Sequence, residues 1–202
     1  MIYVITNRKL VPEENGGFYK QIERIAKAQP DGIVLREKDL SPEAYEELAV
    51  ECQKICNHYN VPLIINLFYE VARKLGILSV HLSMPVFKEL LQTSEKLKGW
   101  EKLGVSVHSV EEAVFAEKNG ADYLIAGHIF LTDCKKGLPA RGLDYLHDVS
   151  TSVEIPVFGI GGMNEEHGAL AMKTGASGIC MMSELMKNTE PESIIKKFAR
   201  HI

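Results

Sequence analysis

The sequence has little of what would tie a chain to a membrane, a nucleic acid or an oxidising compartment. No apolar run approaches the roughly 20 residues that a membrane-spanning helix needs, so no span is expected. There is no long basic block, and the formal net charge is -4. That balance leaves no electrostatic footprint for nucleic acid or an anionic lipid surface, and any anion must be met by local groups. Cysteine is scarce: Cys52, Cys56, Cys134 and Cys180 show no C-x-x-C pairing. With no secretory leader pattern ahead of them, they read as reduced thiols of a cytoplasmic protein. Cys52 and Cys56, four apart on a helical segment, read as packing residues, and Cys134 lies in a polar loop without a defensible role. The single tryptophan, Trp100, falls between a helical segment and an apolar run and reads as packing.

What is present is alternation. Apolar, β-rich runs at 2–6, 32–37, 61–66, 77–82, 103–108, 121–127, 155–160 and 177–182 are each followed by a segment of helical period. Several segments open with capping chemistry, namely Ser41 before Pro42, Ser109 before Glu111 and Glu112, and Asn164 before Glu165 and Glu166. Several close at glycine: Gly76, Gly120 and Gly175. Eight strand-then-helix units in 202 residues predict an α/β fold, a single (β/α)8 TIM barrel, as one domain over residues 1–202. A doubly wound open sheet is the alternative. It fits less well, because TNRKLVPEENGG after the first strand is no glycine-rich cradle.

A barrel assigns chemistry to the loops after the C-terminal strand ends. The stretch AGHIFLTDCKKG, residues 126–137, follows strand six and gathers His128, Thr132 and Lys135. After strand seven, Gly161 and Gly162 would let backbone N–H groups approach an anion, with Asn164 opening a helix behind them; the alternative is a tight turn and nothing more. Ser183 closes strand eight. Strand two ends in Arg36 and Lys38, which suit an anionic substrate group, or else a local cluster with Glu37.

Histidines close three successive strands. His81, His108 and His128 would suit zinc only if they converged, and no acidic orienting partner is evident, so no metal is expected. His81 and His108 read as hydrogen-bonded layer residues. His128, directly before the lysine- and threonine-bearing loop, is the candidate for moving a proton. His58, His147, His167 and His201 fall in helical segments and carry no functional case.

Taken in order, LREK (35–38), IIN (64–66), GVSVHS (104–109), ADYLIAGHIFLTDCKKG (121–137), PVFGIGGM (156–163) and the serine-ending eighth strand resemble the thiamine phosphate synthase superfamily across almost the whole chain. That family's fold is the (β/α)8 barrel. In its synthase branch a glutamine stands where this chain has Val34. Aspartate and arginine, which hold magnesium and pyrophosphate, stand where it has Leu67 and Phe68. A glycine–glutamine pair and a further aspartate stand near Ser83, Met84 and Pro85. The pattern GHIFLTDCKKG is more similar to the thiazole tautomerase branch.

That resemblance implies an isomerase of thiamine biosynthesis that needs no cofactor and takes a small phosphorylated thiazole. It would aromatise an exocyclic carboxythiazoline phosphate to the carboxythiazole phosphate. By resemblance, His128 shuttles the proton, Thr132, Gly161, Gly162 and Ser183 hold the phosphate, and Lys135, Arg36 and Lys38 face the carboxylate. Asn66 and Ser106 line the wall, and a homodimer is a family-level expectation. A divergent synthase and a non-catalytic thiazole-phosphate-binding regulator remain as alternatives.

Overall fold

A computed structural model describes residues 1–93, 97–132 and 137–199. Its strands are β1 (Ile2–Ile5), β2 (Gly32–Leu35), β3 (Leu63–Asn66), β4 (Ser79–Ser83), β5 (Lys102–Val107), β6 (Tyr123–Gly127), β7 (Val157–Ile160) and β8 (Gly178–Met181). They form a closed barrel in sequence order. Between and after them run α1 (Gly17–Lys27), α2 (Pro42–His58), α3 (Tyr69–Lys74), α4 (Met84–Leu91), α5 (Val110–Lys118), α6 (Gly142–Ser152), α7 (Glu165–Met172), α8 (Ser183–Lys187) and α9 (Pro191–Ala199). The fold is therefore a (β/α)8 TIM barrel, as the eight alternating units imply.

The strands read as short continuous apolar runs because helices cover a parallel sheet that is buried on both faces. All residues of β1, β2, β3, β6 and β8 are buried. The expected caps are in place. Ser41 Oγ accepts from the Ala44 N–H at 3.3 Å, Ser109 Oγ from Glu112 at 3.2 Å, and Asn164 Oδ1 from His167 at 2.8 Å. Each supplies an acceptor that a helix start otherwise lacks.

Contacts gather the chain into two compact units, Met1–Val80 with the chain from Met181, and His81–Cys180. The first buries Tyr3, Ile22, Ile33 and Tyr45; the second buries Phe87, Val105, Tyr123 and Phe158. In the first, β1 pairs with β2 and β2 with β3 in parallel; in the second, β5 pairs with β6, β6 with β7 and β7 with the start of β8.

One helix escapes the periodicity reading. The short α8 has too few residues for a periodic signal, and tertiary contacts hold it. Buried Gln21 on α1 donates from Nε2 to the carbonyls of Leu185 and Asn188, at 2.6 and 2.7 Å. Ser183, expected as the end of strand eight, is the first residue of this helix, one position beyond Met182.

Candidate active site

In the second unit the chain does not leave the sheet where β6 ends. The Ile129 N–H donates to the Ile160 carbonyl at 2.8 Å and the Phe130 N–H to that of Gly161 at 3.1 Å, so backbone hydrogen bonding between the two segments continues past both strand ends. The returning chain also binds the same segment. Arg141 and Gly142 donate to the carbonyls of His128 and Ile129, each at 3.0 Å. His128 therefore stands on backbone braced from two sides.

The glycines make that closeness possible. Gly127 would place a Cβ 2.8 Å from the Ile160 carbonyl oxygen. Gly161 has φ +102° and its Cβ would lie 2.5 Å from His128 Cβ; Gly162 has φ +65° and its Cβ would lie 2.7 Å from the Leu131 carbonyl oxygen. Side chains at either position would collide with backbone or Cβ atoms and also sit in the left-handed region. Their need for glycine is thus explained by the strand-six segment pressed against them, independently of any anion.

The His128 ring is half-buried, with Nε2 3.4 Å from the Leu138 carbonyl oxygen. Because a carbonyl only accepts, this long contact favours the tautomer with the proton on Nε2 and leaves the Nδ1 lone pair available. Thr132, half-buried, lies four residues on. Lys135 and Cys134 lie outside the described residues.

Deeper in the same unit, His81 is 3% exposed, with Nε2 2.8 Å from Ser106 Oγ and Nδ1 3.2 Å from the Tyr123 hydroxyl. Tyr123 reaches across because β5 carries Gly104, where a Cβ would lie 2.0 Å from the tyrosine ring. His81 is the hydrogen-bonded layer residue expected of it, and Ser106 is its half-buried partner. His108 is not a layer residue. β5 ends at Val107, so His108 is exposed; its N–H donates to Glu112 Oε2 at 2.7 Å beside the α5 cap, and its ring lies 3.4 Å from the same carboxylate. Among the described residues, no three His, Cys, Asp or Glu side chains gather where they could hold a metal ion.

The first unit builds its strand ends differently. Arg36 is half-buried and Lys38 exposed, but Glu37 between them is 3% exposed and turns inward. Its Oε1 accepts from the Thr6 hydroxyl at 2.8 Å and from the Arg8 N–H at 3.0 Å, and its Oε2 from the Arg8 guanidinium at 3.0 Å. Thr6 Oγ1 in turn accepts from the Arg36 N–H at 2.9 Å. The charge on Glu37 is thus met by Arg8 from the loop after β1. Arg8 also grips Asp39 with two bonds of 2.7 Å. Arg8, then Lys9, hold the Asp39 carboxyl well below the usual carboxylate range, and hydrogen bonding to Asp39 pushes the guanidinium up against its burial.

After β3, Asn66 is buried and Leu67 takes φ +67°, a left-handed conformation that Asn and Asp adopt more readily than leucine. Phe68 then stacks on Tyr45 at 4.1 Å between ring centres. The Tyr45 hydroxyl donates to the Leu35 carbonyl at 2.5 Å and accepts from the Asn66 N–H at 3.3 Å.

Thr6, Arg8 and Tyr123 escape sequence reasoning, and Glu37 enters it only as a local partner of Arg36 and Lys38. The TNR turn directly after the first strand was the available signal for the first two. Nothing local marks Tyr123, whose partner His81 is 42 residues away.

Similarity to known proteins agrees with this architecture. The family described as "Thiamine monophosphate synthase" matches residues 2–185. The chain is 39% identical over 189 residues to a thiamine-phosphate synthase of Clostridium acetobutylicum, covering 92% of this chain and 86% of that one. It is 32% identical over 205 residues to thiamine-phosphate synthase 2 of Streptococcus pneumoniae, covering 100% and 94%. It superposes on a thiamine phosphate pyrophosphorylase from Pyrococcus furiosus with a TM-score of 0.83 and 28% identity, covering 99% and 94%. The chain belongs to the thiamine monophosphate synthase family, a family of thiamine-biosynthesis enzymes.

Proposed function

We propose that this chain is a thiazole tautomerase, which isomerises the exocyclic carboxythiazoline phosphate to the aromatic carboxythiazole phosphate by general acid–base transfer. The observation that carries the reading is His128, a half-buried imidazole on a doubly braced segment with Nε2 turned to the Leu138 carbonyl. Nδ1 accepts the proton from the ring carbon that bears the carboxylate. A proton is then returned to the exocyclic carbon, so the step is neutral in atoms and charge, and aromatisation drives it forward. Thr132 and the Gly161–Gly162 turn receive the phosphate, with Ser106 as a polar wall. Arg36, Lys38, Asn66, Ser183 and Lys135 enter this reading through the resemblance alone.

A second reading has a specific observation in its favour: the relatives at 32% and 39% identity are named synthases. In the synthase branch a magnesium ion is held beside the strand-three asparagine. Here that position is followed by Leu67 and by Phe68, stacked on Tyr45. Hard cations take oxygen ligands, and these apolar side chains offer none, so the residues do not fit the ion.

The test is to add purified protein, without metal, to the carboxythiazoline phosphate and follow aromatisation by absorbance and proton NMR. Conversion by the parent chain, lowered about 10²–10⁴-fold in His128→Gln, supports the tautomerase. Tight binding without acceleration overturns it and favours a regulatory binder. Pyrophosphate release from the pyrimidine pyrophosphate, thiazole phosphate and Mg²⁺ would establish the synthase instead.

A further inference from the structure

His167 carries no functional case in sequence, yet it touches both segments on which the proposed chemistry depends. It stands in the first turn of α7, where its N–H is capped by Asn164. Its ring Nδ1 lies 2.6 Å from the Gly162 carbonyl oxygen. Since that oxygen only accepts, Nδ1 carries the proton in this contact. The same ring lies flat on Phe130, with centres 3.9 Å apart and planes 9° from parallel. One edge of the imidazole thus holds the Gly161–Gly162 turn while its face holds the segment that runs on from His128.

We propose that His167 is a positioning residue that locks the strand-seven turn and the strand-six segment into one register, coupling capture of the substrate phosphate to placement of His128. The catalytic half of this statement rests on the proposed tautomerase; the lock itself does not. The two contacts are separable chemically. In His167→Asn the side-chain amide nitrogen stands the same number of bonds from Cβ as Nδ1, so the donor is kept and the stack is lost. In His167→Phe the stack is kept and the donor is lost. His167→Ala loses both.

Amide hydrogen exchange of the full chain, followed by NMR, tests the lock without any substrate. The Ile129 and Phe130 amides, which donate to Ile160 and Gly161, report the register; the Leu124 amide, which donates to the Pro156 carbonyl at 2.9 Å, reports the far end of the same strand pair. His167→Ala is expected to speed exchange at Ile129 and Phe130 by about tenfold and leave Leu124 unchanged, with Asn and Phe each restoring part of the protection. Parental exchange at Ile129 and Phe130, or equal acceleration of all three amides, overturns the lock.

Steady-state kinetics tests the coupling. Cutting either contact breaks the bridge, so His167→Phe and His167→Asn are each expected to raise KM and to lower kcat several-fold; a change confined to KM in the first and to kcat in the second overturns the coupling. Should the parent chain show no turnover while exchange behaves as expected, the tautomerase reading fails and the lock stands.

Discussion

The strand ends of the two units are held by opposite means. In the first, a buried carboxylate, Glu37, is neutralised by Arg8 from the neighbouring loop, and Arg8 is anchored in turn by Asp39. In the second, the segment from His128 to Phe130 is fixed by backbone pairing and by glycines that admit it. An ionic clamp reaches the backbone only through side chains, as Glu37 and Thr6 reach the Arg8 and Arg36 N–H groups, and its strength depends on pH and salt. A steric and backbone clamp fixes the main chain itself and depends on neither. The candidate base sits on the second kind, which suits a group whose position decides the rate.

The largest expected effect comes from breaking the steric clamp. Gly161→Ala adds a Cβ 2.5 Å from His128 Cβ at a φ of +102°. Overpacking and a left-handed alanine together are expected to cost about 2–4 kcal/mol. The matched control is Gly32→Ala in the first unit, whose Cβ would meet only side-chain atoms, the nearest 3.2 Å away. Side chains can give where backbone cannot, so this variant is expected to lose about 1 kcal/mol or less. Urea melts of the two variants decide the matter: equal losses would mean that the segment at His128 gives way as readily as side chains do, and the steric clamp would fail.

These two glycine environments also show where sequence reading succeeds and where it stops. Each of the eight apolar runs overlaps a strand, with only β4 and β5 overrunning theirs by one residue, because burial on both faces demands continuous apolar residues that the sequence displays. Helix starts were equally legible, since Ser41, Ser109 and Asn164 cap through atoms only three residues away. Local signals reach that far and no further. The partner of Glu37 is Arg8, 29 positions earlier, and the surface that Gly162 accommodates is Phe130 and Leu131, some 30 positions earlier. His128 is a candidate in sequence because it adjoins a dense polar loop. His167 carries no case in sequence because the ring it packs against, Phe130, lies 37 positions earlier in the chain.

The next effect in size probes the ionic clamp. Glu37→Ala removes the acceptor shared by Thr6 and Arg8 and leaves a guanidinium with 27% side-chain exposure short of one partner. Breaking a fully buried pair costs about 3–5 kcal/mol; with Arg8 partly hydrated and still bound to Asp39, about 1–3 kcal/mol is expected. Glu37→Gln keeps an acceptor for Thr6 and should lose less. Denaturant melts in which Gln loses as much as Ala would show that charge, rather than hydrogen bonding, carries the clamp.

The smallest effect is also the most discriminating, because it separates the clamps by mechanism. Arg8 and Lys9 hold the Asp39 carboxyl below its ordinary range, so between the unfolded value of about 3.9 and the lower folded one the unfolded chain binds more protons. Stability from Asp39 is therefore present above that unfolded value and is lost as pH falls through the folded one. Asp39→Asn is expected to lower the melting temperature slightly at pH 7, with the deficit shrinking as acid protonates the parent carboxylate and as salt screens it. The deficit of Gly161→Ala should stay constant along both axes, because neither protons nor ions relieve a Cβ pressed against His128. Melting temperatures of parent, Asp39→Asn and Gly161→Ala across pH and salt would show parallel lines for the glycine variant and converging ones for the aspartate variant. Convergence of both pairs would mean that the strand-six segment is held by charge as well, and the contrast between the two units would fail.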